Sequence, residues 1–402
     1  LVLLQSVVSW LHRRSRPDVS PRGLIWNQGD SDSSDDETSE PADLVEEVSD
    51  GEDDDMVFRK GEDEEPLEYV PHPDPQTYLA PDGTHWTNVV PPDGRRKECM
   101  ACAKLQQRRF GGPTRSTKIN TFVATMSRKR FWALMRFLRY NDFETREERR
   151  STDKLAAIRE FLEKLLINIY HIYEPSEYLV VDEMLIPFRG RCFCIVYMTS
   201  KPDRYGLKVW ALVVVRLNFV LNFQIYTGKE GPAPEVNQGF RVLMDMLNKF
   251  LNTGRGVTAD NVFGLKRAAE RLAEQNTSSV FTIRKQRREV PKDVIQHAKF
   301  PLHSSLFLFH DNCMMVSYKA KPNKMVLVMS TQHRRPQVMV NPPKKPAIIL
   351  HYNSTKGGVD TVDQMISHKF CQRKTNRWPV TIWLHLLNIV GGINTPIMFL
   401  EM

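Results

Sequence analysis

The most informative segment of this chain is His351-Tyr352-Asn353-Ser354-Thr355-Lys356-Gly357-Gly358-Val359-Asp360-Thr361-Val362-Asp363-Gln364-Met365. It places one carboxylate, Asp360, just after a Lys-Gly-Gly segment and a second, Asp363, three residues later. Glycines allow a sharp turn, and residues i and i+3 of a helix share one face. We therefore predict a turn and then a helix, with Asp360 unpaired and both acids on one side. Such oxygen ligands suit a hard divalent cation.

Two upstream acids stand in comparable settings. Asp182 ends the apolar run at 178–181, and Asp260 follows Val257-Thr258-Ala259. Acids at the ends of separate elements can converge on a pair of metal ions about 4 Å apart that serve phosphoryl chemistry. An acid that ends a strand is more often a turn-former or a cap, so each of these is weak evidence alone.

Several further motifs are shared, in order, with a known family between about residues 127 and 396. They are Asp182-Glu183, Phe188-Arg189-Gly190-Arg191-Cys192, Lys201-Pro202, Tyr205-Gly206-Leu207-Lys208, Thr258-Ala259-Asp260-Asn261 with Phe263, Ser317-Tyr318-Lys319, the segment 351–365 quoted above, and Arg373-Lys374-Thr375-Asn376-Arg377-Trp378-Pro379. In these motifs the chain resembles the piggyBac transposases and their domesticated relatives. The segment Tyr78–Trp86 also resembles the part that leads into such proteins.

The resemblance implies a fold and a chemistry. The fold is α/β: a ribonuclease H-like (DDE/D transposase) core with an inserted β-containing subdomain, a helical N-terminal flank and a disordered acidic N-terminal tract. The chemistry is Mg²⁺- or Mn²⁺-dependent DNA cleavage and strand transfer at TTAA targets through hairpin intermediates. Asp182, Asp260 and Asp360 match the catalytic, metal-holding acids, and Asp363 a further acid. Asp182-Glu183 matches an Asp-Glu pair of the family. Neighbouring residues of a strand point to opposite faces, so we do not expect Glu183 to be a direct metal ligand.

Hydrophobic patterning predicts the elements that carry these motifs. Strands are expected at 178–184, 207–215 and 219–226, followed by a helix at 238–251, a short strand ending at Asp260, a helix at 264–275 and a strand near 280–283. Earlier helices are expected after Ser127, with Phe131, Leu134, Met135 and Leu138 on the apolar face, and from Asp153 to Pro175. Two strands are expected at 314–319 and 325–330, and a buried helix at 382–387. We divide the chain into a leader and acidic tract (1–75), a partial N-terminal helical region for DNA binding or dimerisation (76–177), the first part of the core (178–284), the insertion (285–350) and the last part of the core (351–402).

The net charge of +8 conceals an asymmetry. Residues 30–68 carry nineteen Asp and Glu against Arg59 and Lys60, a local charge of −17, so the remainder carries +25. A segment so acidic and poor in aromatic residues is predicted to be disordered, because it buries too little apolar surface to offset chain entropy. The basic remainder favours a polyanionic partner, although lysines that only maintain solubility would give the same charge.

Three basic groups flank the predicted acids, and phosphate contacts from such groups would bind double-stranded DNA. Trp378 would stack on an unpaired base or, as we prefer, anchor the core. The candidate DNA-binding residues are Arg189, Arg191, Lys201, Arg204, Lys208, Arg284, Lys285, Arg287, Lys356, Arg373, Lys374 and Arg377. Arg288 belongs to the same basic run as Arg284, Lys285 and Arg287.

The cysteines form no evenly spaced disulfide framework, which indicates a reducing compartment. Cys99 and Cys102 have the spacing of half a zinc site, with His72 and His85 nearby, but no second pair follows, and we do not expect structural zinc. The apolar stretch at 1–11 is too short to span a bilayer, and we interpret it as a fragment edge or an unstructured leader. No membrane segment is expected elsewhere.

The chain departs from the family pattern in two places. The helical region between Trp86 and residue 127 is shorter than usual, and the family's Cys-rich module would lie beyond Met402. We expect a nuclear transposase, and a homodimer if the N-terminal region functions. Two alternatives stay open: a catalytically inactive, transposon-derived nuclear DNA- or chromatin-binding protein, and the product of a truncated gene model that does not fold stably.

Overall fold

The structure is a computed structural model, and it describes residues 46–47, 67–69, 76–88, 128–142, 144–229, 235–296, 300–368 and 375–394. The strands are β1 (Glu46–Glu47), β2 (Leu67–Tyr69), β3 (Thr77–Leu79), β4 (His85–Thr87), β5 (Tyr178–Pro187), β6 (Ile195–Met198), β7 (Tyr205–Val214), β8 (Phe219–Ile225), β9 (Gly256–Ala259), β10 (Ser278–Thr282), β11 (Ser305–His310), β12 (Cys313–Lys321), β13 (Lys324–Ser330) and β14 (Gln337–Met339). The helices are α1 (Arg128–Phe137), α2 (Arg146–Arg150), α3 (Arg159–Ile172), α4 (Gln238–Leu247), α5 (Lys266–Glu274), α6 (Ala347–Thr355), α7 (Gly358–His368) and α8 (Trp378–Leu387). Short 3₁₀ turns at Asn248–Phe250 and Lys292–Ile295 and a π-helical segment at Asn388–Asn394 complete the described elements.

Five strands form the centre of the fold, in the spatial order β8-β7-β5-β9-β10. The pairs β8–β7 and β7–β5 are antiparallel, whereas β5–β9 and β9–β10 are parallel. These strands are rich in valine, leucine and aromatic residues and are buried along most of their length, as expected for a sheet covered on both faces. The order and directions are those of a ribonuclease H-like core, so the predicted fold is confirmed.

The segment at 285–350 extends the same sheet. Strand β13 pairs antiparallel with β10, and the order continues through β12 and β11 to β4 and β3. With β6 and β1 on the side of β7, the sheet has twelve strands among the described residues. The strands predicted at 314–319 and 325–330 are present as β12 and β13, and β11 was not predicted. Strand β13 pairs with backbone groups of the core strand β10 that would otherwise form an exposed sheet edge.

The helices before the core differ from the prediction. Helix α3 begins at Arg159, because Asp153 instead stabilises a turn: its carboxylate accepts the Leu155 amide (3.0 Å) and pairs with Arg159 (2.8 Å). The face predicted for α1 is only partly buried, since Leu134 is 47% exposed. The buried helix predicted at 382–387 lies within α8, as expected.

Some predictions fall outside the described residues. They concern the leader, most of the acidic tract, the Cys99–Cys102 pair, and Arg373 and Lys374. Two short strands, β1 and β2, lie within the segment that was predicted to be disordered. The described helices include none with the length and apolar character that crossing a membrane requires.

Candidate active site

Asp182 and Asp260 lie side by side on adjacent parallel strands. Val181 of β5 is paired with Ala259 of β9, so the residue after each of them is an acid. Asp182 lies inside β5, which continues past its predicted end at 184 to Pro187 along β7, whereas β9 stops at Ala259, directly before Asp260. The two carboxylates therefore lie at the end of β9, where β5 continues alongside β7 alone. Asp260 also turns the chain, since its Oδ1 accepts the Val262 amide at 2.9 Å.

Helix α7 brings Asp360 to this place. A Cβ atom on Gly358 would lie 2.6 Å from Val180 Cγ1, so only glycine lets the start of α7 rest directly on β5. The preceding helix α6 is tied to β9 by a buried hydrogen bond of 2.7 Å between the hydroxyls of Thr258 and Thr355. The predicted function of the glycines was a sharp turn. In the structure neither Gly357 nor Gly358 has a positive φ, and Gly358 serves close packing instead.

Lys201 connects the acids of α7. Its ammonium lies 3.1 Å from Asp360 Oδ1 and 3.8 Å from Asp363 Oδ2. The prediction that Asp360 is unpaired was therefore wrong: a lysine 159 positions away in the chain reaches it. The same contact confirms that Asp360 and Asp363 share one face of α7. The Lys201 side chain is 17% exposed, whereas Asp360 is 67% exposed at the rim.

The electrostatics of the site show a surplus of negative charge. Burial, followed by the charges of Asp260 and Asp360, raises the pKa of Asp182 well above its usual range. Burial also raises the pKa of Asp363 to about 6, although Lys201 opposes the shift. Burial disfavours the charged form of Lys201, but the nearby carboxylates more than compensate and raise its pKa to about 12.

This donor set fits a hard divalent cation. It consists of carboxylate oxygens on rigid elements, and their mutual repulsion at Asp182 is the imbalance that such a cation would relieve. Within the described residues no three of these acids bring their oxygens to within 4.8 Å of one another, and Lys201 pairs with Asp360 and Asp363. Binding a cation would thus require side-chain movement about Lys201.

Glu183 and Lys208 form a separate, buried ion pair. Lys208 Nζ lies 2.7 Å from Glu183 Oε2 and 5.3 Å from the centroid of the Trp210 ring. The Lys208 side chain is only 2% exposed, so the structure does not place it where DNA would reach it. Glu183 is committed to this lysine, in agreement with the expectation that it is not a direct metal ligand.

The other candidate DNA-binding residues occupy the surface to different degrees. Arg189, Arg191, Arg204, Arg284 and Arg377 are exposed, and Lys285, Arg287 and Lys356 are half-buried. Arg284 is fixed beside the acids, because its Nε donates to Asn261 Oδ1 (2.8 Å), directly after Asp260. Trp378 is half-buried and packs edge-on against Phe193 (5.7 Å), which favours the core anchor over a base-stacking surface.

Comparison with known proteins agrees with the ribonuclease H-like fold. A family model described as Transposase IS4 matches residues 110–392. The chain belongs to this piggyBac-type transposase family. The match includes α1, the whole core sheet, the insertion and α6 to α8.

Individual proteins show the same relation. PiggyBac transposable element-derived protein 3 of Homo sapiens is 22% identical over 295 residues, which cover 68% of this chain and 49% of the relative. The Chimeric ERCC6-PGBD3 protein of Homo sapiens is also 22% identical, over 68% of this chain and 27% of the relative. A cryo-EM structure of a piggyBac transposase synaptic complex with hairpin DNA superposes with a TM-score of 0.64 at 33% identity, covering 69% of this chain and 58% of that one. The chain thus spans about half the length, or less, of these curated relatives.

Sequence reasoning missed two features of the site. It placed Lys201 only among DNA contacts, and no local pattern signals that this lysine reaches Asp360 and Asp363. It also did not predict the hydrogen bond between Arg284 and Asn261, which lie in separate segments of the chain.

Proposed function

We propose that this chain is a piggyBac-like DNA transposase, or a domesticated derivative, that cleaves and transfers DNA strands at TTAA-type sites with Mg²⁺ or Mn²⁺. The observation that carries the proposal is the meeting of Asp182, Asp260 and Asp360 at the point where β9 ends and α7 begins. Three acids from three rigid elements are the arrangement that a two-metal phosphoryl-transfer site needs.

The residues have distinct roles in this proposal. Asp182, Asp260 and Asp360 would hold the metal ions, and Asp363 would orient the Lys201 ammonium or share in binding. Bound divalent ions supply Lewis-acid stabilisation of the attacking and leaving oxygens. In the first step water attacks a phosphodiester, and the 3′ oxygen leaves as a free hydroxyl. In the second step that hydroxyl attacks another phosphodiester and displaces its 3′ oxygen, so no external energy source is required.

The exposed arginines would position the DNA backbone. Arg284 lies beside Asp260 through Asn261, and Arg189, Arg191 and Arg204 belong to the segments that follow β5 and precede β7. Lys208 is left out, because it is buried against Glu183. Arg377 is held near Leu138, whose carbonyl oxygen accepts from its guanidinium (3.1 Å), and would contribute from α8. A nuclear location and a homodimer belong to the same proposal.

The deciding experiment measures strand transfer of pre-cleaved, piggyBac-like ends into a TTAA-containing target in Mg²⁺ or Mn²⁺. Asp260→Asn removes a proposed metal ligand, and we expect at least a hundredfold loss of product with unchanged folding. The matched control is Asp245→Asn, which changes an acid on α4 that pairs only with Arg241 at the surface and should leave transfer intact. Folded, DNA-binding protein without any transfer would overturn the enzymatic proposal and favour the non-catalytic DNA- or chromatin-binding alternative.

A further inference from the structure

A second group of metal-ligating side chains lies away from the acids of the active site. His310 and Asp311 form the turn between β11 and β12, and Glu270 projects from α5 toward them. One ligand atom from each residue lies within 4.8 Å of the other two. Among the residues that the structure describes, no other trio of His, Cys, Asp or Glu meets this condition.

The imidazole of His310 is held in the orientation of a metal ligand. Its Nδ1 contacts the backbone carbonyl oxygen of His85, which accepts only, so Nδ1 carries the proton. The Nε2 lone pair is then free to bind a cation. A carbonyl partner on the second ring nitrogen is the usual support of metal-bound histidines. The ring also lies against buried Trp86, with centroids 5.6 Å apart.

A carboxylate of the same turn lies beside Nε2. Asp311 Oδ2 is 3.3 Å from His310 Nε2, so the oxygen and this ring nitrogen are close enough to bind one ion. Glu270 supplies a third donor: one of its oxygens pairs with Lys266 (2.8 Å), and the other remains for a further partner.

We propose that Glu270, His310 and Asp311 bind one divalent transition-metal ion, with Zn²⁺ as the best fit and water as the fourth ligand. An imidazole nitrogen with two carboxylates is a ligand set for zinc, whereas Mg²⁺ prefers oxygen alone. Zinc ligand atoms in a tetrahedron are roughly 3.3 Å apart, so closure from separations within 4.8 Å needs at most about 1.5 Å of movement. Asp311 is exposed and Glu270 is half-exposed, and both side chains have that freedom.

The ion would join three parts of the chain that are distant in sequence. Glu270 belongs to the core helix α5, His310 and Asp311 to the insertion, and the supporting carbonyl of His85 to the N-terminal hairpin, which pairs with β11 through Thr87 and Phe309. Zinc at this place would clamp the insertion onto the core. The site is independent of the proposed strand transfer, and its test does not use that activity.

The experiment uses the full chain carrying Cys99→Ser and Cys102→Ser, which removes the C-x-x-C pair as a competing zinc site. Metal-free protein is dialysed against Zn²⁺, and bound zinc is counted by mass spectrometry. Co²⁺ is added separately, because its visible absorption reports the ligand geometry and any thiolate ligand. We expect about one zinc per chain, a higher Tm with zinc, and a cobalt spectrum without thiolate bands.

Two variants test the assignment. Asp311→Asn keeps the turn, since asparagine accepts the left-handed φ of 49° at this position, and should weaken zinc binding at least tenfold. Glu270→Gln should weaken it too, whereas Glu274→Gln, one turn further along α5, should not. Zinc binding that is equal in all these proteins, or no bound zinc in the parent, would overturn the proposal. Binding that survives them but is lost in Asp260→Asn would assign the zinc to the active-site acids instead.

Discussion

At the scale of single residues, Lys201 is the most consequential side chain of the candidate active site. Its ammonium pairs with Asp360 and Asp363, although Lys201 lies 159 positions away from Asp360 in the chain. The nearby carboxylates raise its pKa to about 12, so it stays charged throughout the working range of pH. In the proposed metal site, this fixed positive charge would compete with a divalent cation for the same oxygens.

Lys201→Met tests this competition, because methionine keeps much of the length and removes the charge. We expect Mg²⁺ or Mn²⁺ to bind the variant roughly three- to tenfold more tightly, since Asp360 is largely exposed and loses a neighbouring cation whose screened Coulomb energy is about 1 kcal/mol. Isothermal titration of the metal-free protein measures the affinity. Lys324→Met, at the turn between β12 and β13, is the matched control. An unchanged affinity would show that Lys201 does not occupy the place of the metal.

At the scale of elements, strands β5 and β7 are joined by an ion pair as well as by their backbone. Glu183 and Lys208 lie 2.7 Å apart in a nearly water-free setting, beside Trp210. Such a pair adds little net stability when intact, because desolvation offsets attraction. Removing one partner is costly, because the other charge remains buried without compensation.

Lys208→Met should therefore destabilise the protein by roughly 3–5 kcal/mol. The double variant Glu183→Gln, Lys208→Met should recover a large part of that loss. Urea unfolding measures both. Lys164→Met, which breaks the exposed Lys164–Glu160 pair of α3, should cost less than about 1 kcal/mol. If Lys208→Met were as mild as this control, the pair would not be desolvated as the structure indicates.

Helix α8 carries a buried histidine that makes stability depend on pH. Neither ring nitrogen of His385 has a hydrogen-bond partner in the described structure, and burial lowers its pKa to about 4. A pKa below that of the unfolded chain, about 6.5, means that folding favours the neutral ring. The stabilisation is complete above pH 6.5 and is lost as pH falls toward 4.

The expected loss from this residue is about 3 kcal/mol between pH 6.5 and pH 4. Because acids titrate in the same range, the quantity to compare is the difference in unfolding free energy between wild type and His385→Leu. As pH falls, the variant should become more stable relative to wild type. His171→Gln, an exposed histidine on α3, should show no such shift. Parallel pH curves for wild type and His385→Leu would rule out a buried neutral imidazole.

At the scale of the whole molecule, charge is divided between an acidic tract and a basic remainder. Residues 30–68 carry a charge of −17, against +25 for the rest of the chain. An acidic segment tethered to a basic body competes with DNA phosphates for the same cations and reduces the counterion release that drives binding.

Replacing the acids of 30–68 by Asn and Gln should tighten binding to a duplex by about tenfold at about 50 mM salt, and should steepen the loss of affinity with salt. Fluorescence anisotropy across a salt series measures both quantities. A variant with the tract scrambled, which keeps its composition, is the control and should bind as wild type does. If scrambling the tract raised the affinity for DNA as much as neutralising it, the order of the residues rather than their charge would govern the effect.

The core of the fold could be predicted because its elements have local signatures. The apolar runs of β5, β7 and β8, the period of α4 and the acids at 182 and 260 are readable in short windows of sequence. Strand β11 and the start of α3 were missed. Strand β11 is defined by its pairing with β12, and the start of α3 is set by a turn that Asp153 and Arg159 close. Neither is visible as hydrophobic periodicity.

By itself, the sequence determined the family, the class of the core and the acids that would carry the chemistry, because motif order and local patterning are properties of the chain alone. Only the tertiary structure decided which charges meet: Lys201 with Asp360, Lys208 with Glu183, and Glu270 with His310 and Asp311. The physical reason is that Coulomb and hydrogen-bond energies depend on distance and burial in space. Those quantities arise when strands from distant parts of the chain pair in one sheet.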